Sequence, residues 1–263
     1  MGKYAALLKY EARTIWRDPI NLYMCAFPVI MLGLAAFVFP LLFTSTDVLQ
    51  GAMLRAVMLL LVVVILAFGS FFLAAMAAFL LVEQKDEHTL HTIAVTPVGV
   101  SGYLKFKLSY IYLMSVLGNI LVLAGTKLLA GDKYSIFGVS LFDQIHLGHM
   151  VSFAAVNSLF TLVLGLWQGA LARNKVEGFA LIKGTGMLAL LPALTVLEVF
   201  QGKPQYVLGV FPNFWAIKGM LVQFMPVRAE GDLSYALYLL VGTAYNLMLL
   251  AGAYKVFLRK AQY

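Results

Sequence analysis

Six long runs of almost purely apolar residues alternate with short segments that hold nearly all the charge. No formal charge occurs from Pro19 to Thr46 or from Ala56 to Val82, and Leu108–Thr126, Gln144–Ala172 and Leu233–Tyr254 are equally bare. Gly178–Leu197 is interrupted only by Lys183. A helix needs about 20 apolar residues to cross a hydrocarbon core of roughly 30 Å. The pattern therefore predicts an all-α integral membrane protein with six spans, at about residues 20–43, 56–82, 108–128, 150–172, 178–200 and 233–257, in a single transmembrane domain covering 1–263.

The segments between the spans carry patterns of their own. Before the first span, residues 3–17 repeat at helical spacing. Tyr4, Leu7, Leu8, Ala12, Ile15 and Trp16 fall on one side and Lys9, Arg13 and Arg17 largely on the other. A basic helix with an apolar face and a tryptophan suits a membrane interface. Asp18-Pro19 is expected to end it, because the residue before a proline avoids the α region. Pro28 and Pro192 predict kinks or breaks in the first and fifth spans. Between Glu198 and Asp232, apolar residues crowd pieces cut by Pro204, Pro212 and Pro226 that are too short to span. They read as a re-entrant pair of short helices in the outer leaflet.

Composition and charge sharpen this picture. A hydrophobic content of 62% excludes an ordinary soluble domain. With the N-terminus placed inside, Lys3, Lys9, Arg13, Arg17, Lys85, Lys105, Lys107, Arg173, Lys175, Lys183, Lys255, Arg259 and Lys260 fall on the inner side. Arg55, Lys127, Lys133, Lys203, Lys218 and Arg228 fall on the outer, so the split of the 19 basic residues is 13 to 6. The excess of Lys and Arg on one side sets both termini in the cytoplasm, with the protein in the inner or plasma membrane. Topology thus accounts for the net charge of +7, and nucleic acid is not an expected partner. The single Cys25 excludes a disulfide framework.

Chemistry is sparse. No phosphate-binding loop of the G-x-x-x-x-G-K-[ST] type occurs, and neither His88 with His91 nor His146 with His149 has further ligands in reach by spacing. No catalytic residue, metal site or cofactor is expected in this chain. Within the spans the polar side chains are amides and hydroxyls. Ser70, Asn157, Gln168 and Asn246 are the candidates to line a substrate path, with interhelical hydrogen bonding as the simpler role for each. Five of the spans hold no Asp, Glu or Arg at mid-depth, whereas ion-driven carriers generally need such groups. The driving force is therefore expected to come from outside the membrane domain. Gly165-Leu166-Trp167-Gln168-Gly169 is a GxxxG that permits close helix approach.

After the second span comes the run Glu83-Gln84-Lys85-Asp86-Glu87-His88-Thr89-Leu90-His91, then Thr96-Pro97 and Tyr103-Leu104-Lys105 at the third span. With the Arg17-Asp18-Pro19 ending of the first helix, Pro28, and the outer insertion from Pro204 to Trp215, this order resembles the membrane subunits of type-2 ABC exporters along the whole chain. His88 departs from the glycine that such proteins often carry there. The resemblance implies a permease that pairs with a second permease subunit and rests on a cytoplasmic ABC ATPase, which holds the ATP and Mg. It also implies that the segment after the second span is a coupling helix, with Glu83, Lys85, Glu87, Thr89, Leu90, Thr96 and Pro97 as its contact residues, and that an amphipathic or hydrophobic substrate moves outward. The competing readings are a non-transporting immunity or sensor subunit on the same fold, an ion-coupled carrier, and an intramembrane enzyme.

Overall fold

A computed structural model describes residues 2–44, 51–86, 93, 95, 98–136, 138–225 and 229–261. Six helical segments in it are long and apolar enough to cross a membrane: Pro19–Phe43, Met53–Lys85, Gly99–Lys133, Leu147–Leu171, Lys175–Val196 and Tyr235–Lys260.

Helix α1 (Gly2–Arg17) stops where Asp18-Pro19 predicts. Asp18 then caps α2 (Pro19–Gly33), its Oδ1 accepting the Ile20 amide at 2.9 Å and its Oδ2 accepting Asn21 Nδ2 at 2.9 Å. Pro28 lies inside α2 without ending it. The departure from α geometry comes later, in a π segment at Leu34–Val38 before α3 (Phe39–Thr44). In the i→i+5 pattern the carbonyl of Ala35 faces residue 40, a proline with no N–H to donate. The hydroxyl of Tyr134, a fully buried residue, donates to that carbonyl at 2.6 Å. Burial pushes the Tyr134 pKa above the usual phenol value.

The second span is two helices, α4 (Gly51–Phe68) and α5 (Phe71–Asp86), parted by a turn at Gly69-Ser70. The third, α6 (Gly99–Ala130), has 32 residues and is about 48 Å long at 1.5 Å per residue, well beyond the hydrocarbon thickness. Its start lies nine residues before the expected boundary at 108, so Tyr103, Lys105 and Lys107 are helical. A short hairpin of β1 (Ser135–Ile136) and β2 (Val139–Ser140) leads to α7 (Leu147–Leu171). In the fifth span the helix α8 (Lys175–Ala189) gives way to a 3-10 turn at Leu191–Val196, with Pro192 in its first turn as expected. The greasy insertion is a 3-10 stretch, Lys203–Val210, followed by the helix α9 (Pro212–Phe224). The chain then returns along α10 (Tyr235–Ala261).

α7 is the central post, packed on α5, α6, α9 and α10. The most apolar stretch of the fourth span is 72% buried within the chain, against 28% for the first and sixth and 22% for the fifth. Those three spans therefore keep broad apolar faces that this chain alone does not cover. Glycines on α6 and α7 let neighbours close in. A Cβ on Gly118 would sit 3.0 Å from Pro28, and one on Gly165 would sit 2.9 Å from the Ala77 methyl and 3.1 Å from Ala74 O. The GxxxG of α7 thus serves packing against α5 inside the chain.

Candidate functional site

Polar side chains gather at three levels. At the end of the bundle that carries both termini, α1, the end of α5 and the start of α6 are tied by a buried charged knot. Glu11 of α1 and Lys107 of α6 form an ion pair at 3.4 Å with each side chain 1% exposed. Tyr103, one turn before Lys107, donates its hydroxyl to Glu11 Oε1 at 2.5 Å. Lys107 Nζ donates to that same hydroxyl at 3.1 Å and to Leu80 O of α5 at 3.4 Å. Gln84 of α5 also donates to Tyr103. A buried ammonium or carboxylate is tolerated only when paired and hydrogen-bonded, and here each charge satisfies the other across 96 residues of sequence.

The same end is stitched a second time. Lys85 Nζ donates to Gly169 O at 3.0 Å and Ala172 O at 2.8 Å, placing a cation on the last carbonyls of α7, where the helix dipole favours it. Glu83 meets Lys175 at 2.7 Å in a partly exposed pair, while Asn174 caps α8 by accepting the Glu177 amide at 2.9 Å. The two helices that flank the segment between Asp86 and Gly99, α5 and α6, are therefore stems that Gln84 and Tyr103 join at the base.

At the middle level every buried polar side chain among the described residues is uncharged. The turn at Gly69-Ser70 frees the carbonyl of Leu66, and Asn157 Nδ2 donates to it at 3.3 Å. The same amide reaches Ser70 Oγ at 3.4 Å and Asn119 Oδ1 at 3.3 Å. Thr161 links to Ser70 at 3.1 Å and to Ser115 at 3.0 Å, and Asn119 Nδ2 donates to Ser158 Oγ at 3.3 Å and Ser115 O at 3.1 Å. This net pins the end of α4 and the turn after it to α6 and α7.

At the far end, Lys218 of α9 pairs with Asp232 at 3.1 Å, and Asp232 also accepts Gln205 Nε2 at 2.9 Å and the Tyr238 hydroxyl at 3.3 Å. Beside this cluster lies a cavity of about 590 Å3 with Arg55, Leu59, Glu198, Lys218, Leu221 and Asp232 in its wall. It has apolar sides and both signs of charge.

Of the residues singled out from sequence, Glu83 and Lys85 stand together at the end of α5, whereas Glu87, Thr89, Leu90, Thr96 and Pro97 lie outside the described residues. Ser70 and Asn157 share the middle network. Gln168 lies nearer the terminal end and donates to Thr185 of α8 at 2.5 Å; Asn246 donates to Pro212 O at 3.2 Å and Gly242 O at 2.8 Å. Asn157 Oδ1, Gln168 Oε1 and Asn246 Oδ1 each lack a donor among the described residues. The residues not anticipated are Glu11, Tyr103, Lys107, Asn119 and the Lys218–Asp232 pair. Glu11 could be suspected from its place midway between Leu7 and Ile15 on the apolar side of α1, where a lone carboxylate calls for a cation.

The sequence pattern of the family described as "Fluoroquinolones export permease protein Rv2686c-like" matches residues 11–254. Two curated relatives from strains of Mycobacterium tuberculosis, named Fluoroquinolones export permease protein MT2760 and Rv2686c, are each 26% identical over 258 residues. The alignments cover 97% of this chain and 94% of each relative. With a match over nearly all of its six-span bundle, the chain belongs to the Rv2686c-like family and is a multi-pass membrane permease of the exporter type.

Proposed function

We propose that the chain is the permease subunit of an ATP-driven ABC exporter, paired with a second permease subunit and driven by a cytoplasmic ATPase that carries ATP and Mg. The observation that supports this best is the double-stemmed base under residues 87–97. Glu11, Gln84, Tyr103 and Lys107 fasten the stems to each other and to α1, so a push on the segment between them would be passed to the spans as a rigid displacement. The segment acts as the coupling helix, with Glu83, Lys85, Glu87, Thr89, Leu90, Thr96 and Pro97 at or beside the ATPase contact. Helix α1 lies along the inner membrane surface; Trp16, at 76% exposed, and Leu8 are left to face lipid. Both termini are cytoplasmic. The pieces 203–210 and 212–224 re-enter the outer leaflet.

The substrate path follows the second and fifth spans at the subunit interface; Ser70, Asn157, Gln168 and Asn246 are buried within the chain, the last three on the fourth and sixth spans, and would reach that path only when the spans part. The relatives are named for fluoroquinolones, so an amphipathic aromatic compound of that class is the first substrate to try. The test is affinity purification of the tagged chain from native membranes in mild detergent. An ATPase subunit should co-purify in equal amount and be lost with Leu90→Asp, while Leu90→Met retains it. A pure permease with no nucleotide-binding partner would overturn the proposal.

A further inference from the structure

On the flank where α6, α7 and α10 meet, an open groove of about 880 Å3 follows the membrane direction. Its apolar wall is formed by Leu108 and Leu113 of α6, Leu162 of α7, and Leu247 and Leu250 of α10. The exposed lysines Lys105 and Lys255 both lie at the end nearer the chain termini, because α6 runs away from that end and α10 runs toward it. From Lys105 to Leu113 the groove extends about 12 Å at 1.5 Å per helical residue. No carboxylate lines it among the described residues. Its hydroxyls are engaged elsewhere: Tyr254 with Ser101 at 2.9 Å, Ser109 with Lys105 O at 2.9 Å, and Tyr112 with Ala155 O at 3.2 Å. Two cations at the mouth of a leucine-lined trough therefore have no anionic partner in the groove itself.

We propose that this groove binds one anionic phospholipid from the leaflet facing the termini, its phosphate between Lys105 and Lys255 and an acyl chain along the leucines. The lysine stems reach toward the headgroup level while the trough removes hydrocarbon from the bulk bilayer. A free phosphate would use the lysines but leave the trough unfilled. A second copy of the chain seated symmetrically on the groove would bring four lysines together with no acid between them, a repulsive arrangement. Charge complementarity thus favours the lipid over either alternative.

The experiment is native mass spectrometry of the full chain in detergent, titrated with phosphatidylglycerol or with phosphatidylcholine of the same acyl chains. One phosphatidylglycerol should be retained in preference to phosphatidylcholine. Each lysine near an anionic headgroup contributes about fivefold in affinity, so Lys105→Gln with Lys255→Gln should lower retention roughly 25-fold. Leu159→Trp, which fills the trough (Leu159 lines it) while sparing both lysines, should displace the lipid as well. Thermal unfolding of each variant verifies that it is folded. Equal retention of the two lipids, unchanged retention by the double lysine variant, displacement by inorganic phosphate, or self-crosslinking of Leu113→Cys in vesicles would overturn the assignment. Retention in micelles is independent of which way the chain faces in a membrane and of any ATPase, so it stands apart from the proposed function.

Discussion

The knot at the terminal end and the net in the middle of the bundle solve the same problem with different chemistry. Glu11, Tyr103 and Lys107 bury a full ion pair, whereas Ser70, Asn119, Asn157, Ser158 and Thr161 bury only neutral donors and acceptors. Among the described residues, the buried charged side chains are Glu11, Lys107, Lys218 and its partner Asp232, and each has an opposite charge within 3.4 Å. The difference teaches where rigidity is concentrated. A charge pair penalises separation heavily, because either partner left alone is a desolvated ion. A net of amides and hydroxyls loses less when one partner is removed.

Lys107→Met breaks this comparison most severely. It strands Glu11, and should lower stability by about 3–5 kcal/mol, whereas Glu11→Gln combined with Lys107→Met should recover most of the loss; thermal unfolding in micelles reads both. Gly165→Leu comes next, since its side chain would enter the space of Ala77 and Ala74 O; overpacking of this kind costs about 1–3 kcal/mol, on the same assay. Asn157→Leu removes three contacts of the middle net, yet should cost only about 0.6–1.7 kcal/mol, distinctly less than the broken ion pair. Smallest is Glu83→Gln: its partner Lys175 is 48% exposed, so the effect on unfolding should be within about 1 kcal/mol and vanish in high salt. Should Asn157→Leu prove as damaging as Lys107→Met, the contrast between the two regions would collapse.

Much of the fold was legible because hydrophobic length is a direct physical requirement of a bilayer. The six runs, the break at Asp18-Pro19 and the helix end before Pro192 all follow from it and from proline's missing N–H. The turn at Gly69-Ser70 was not legible, since nothing in a charge-free run shows that Asn157 and Thr161, about 90 residues later, will satisfy the groups at the turn. For the same reason Lys107 read as an interfacial cation flanking the third span. Its burial depends on Glu11, and a pairing that distant leaves no periodic trace. At the candidate site, Glu83 and Lys85 were visible as the polar end of an apolar run, but their partners Lys175, Gly169 O and Ala172 O belong to packing alone.

On the proposed function the driving force is ATP and not a coupling ion, in keeping with a middle net that holds no buried charged side chain among the described residues. The direct test is uptake of a fluorescent amphipathic compound into inverted membrane vesicles with proton and sodium gradients collapsed by ionophores. ATP alone should sustain uptake, and Lys107→Met should abolish it while the double variant Glu11→Gln, Lys107→Met restores part. Uptake that needs an ion gradient and ignores ATP would contradict this account.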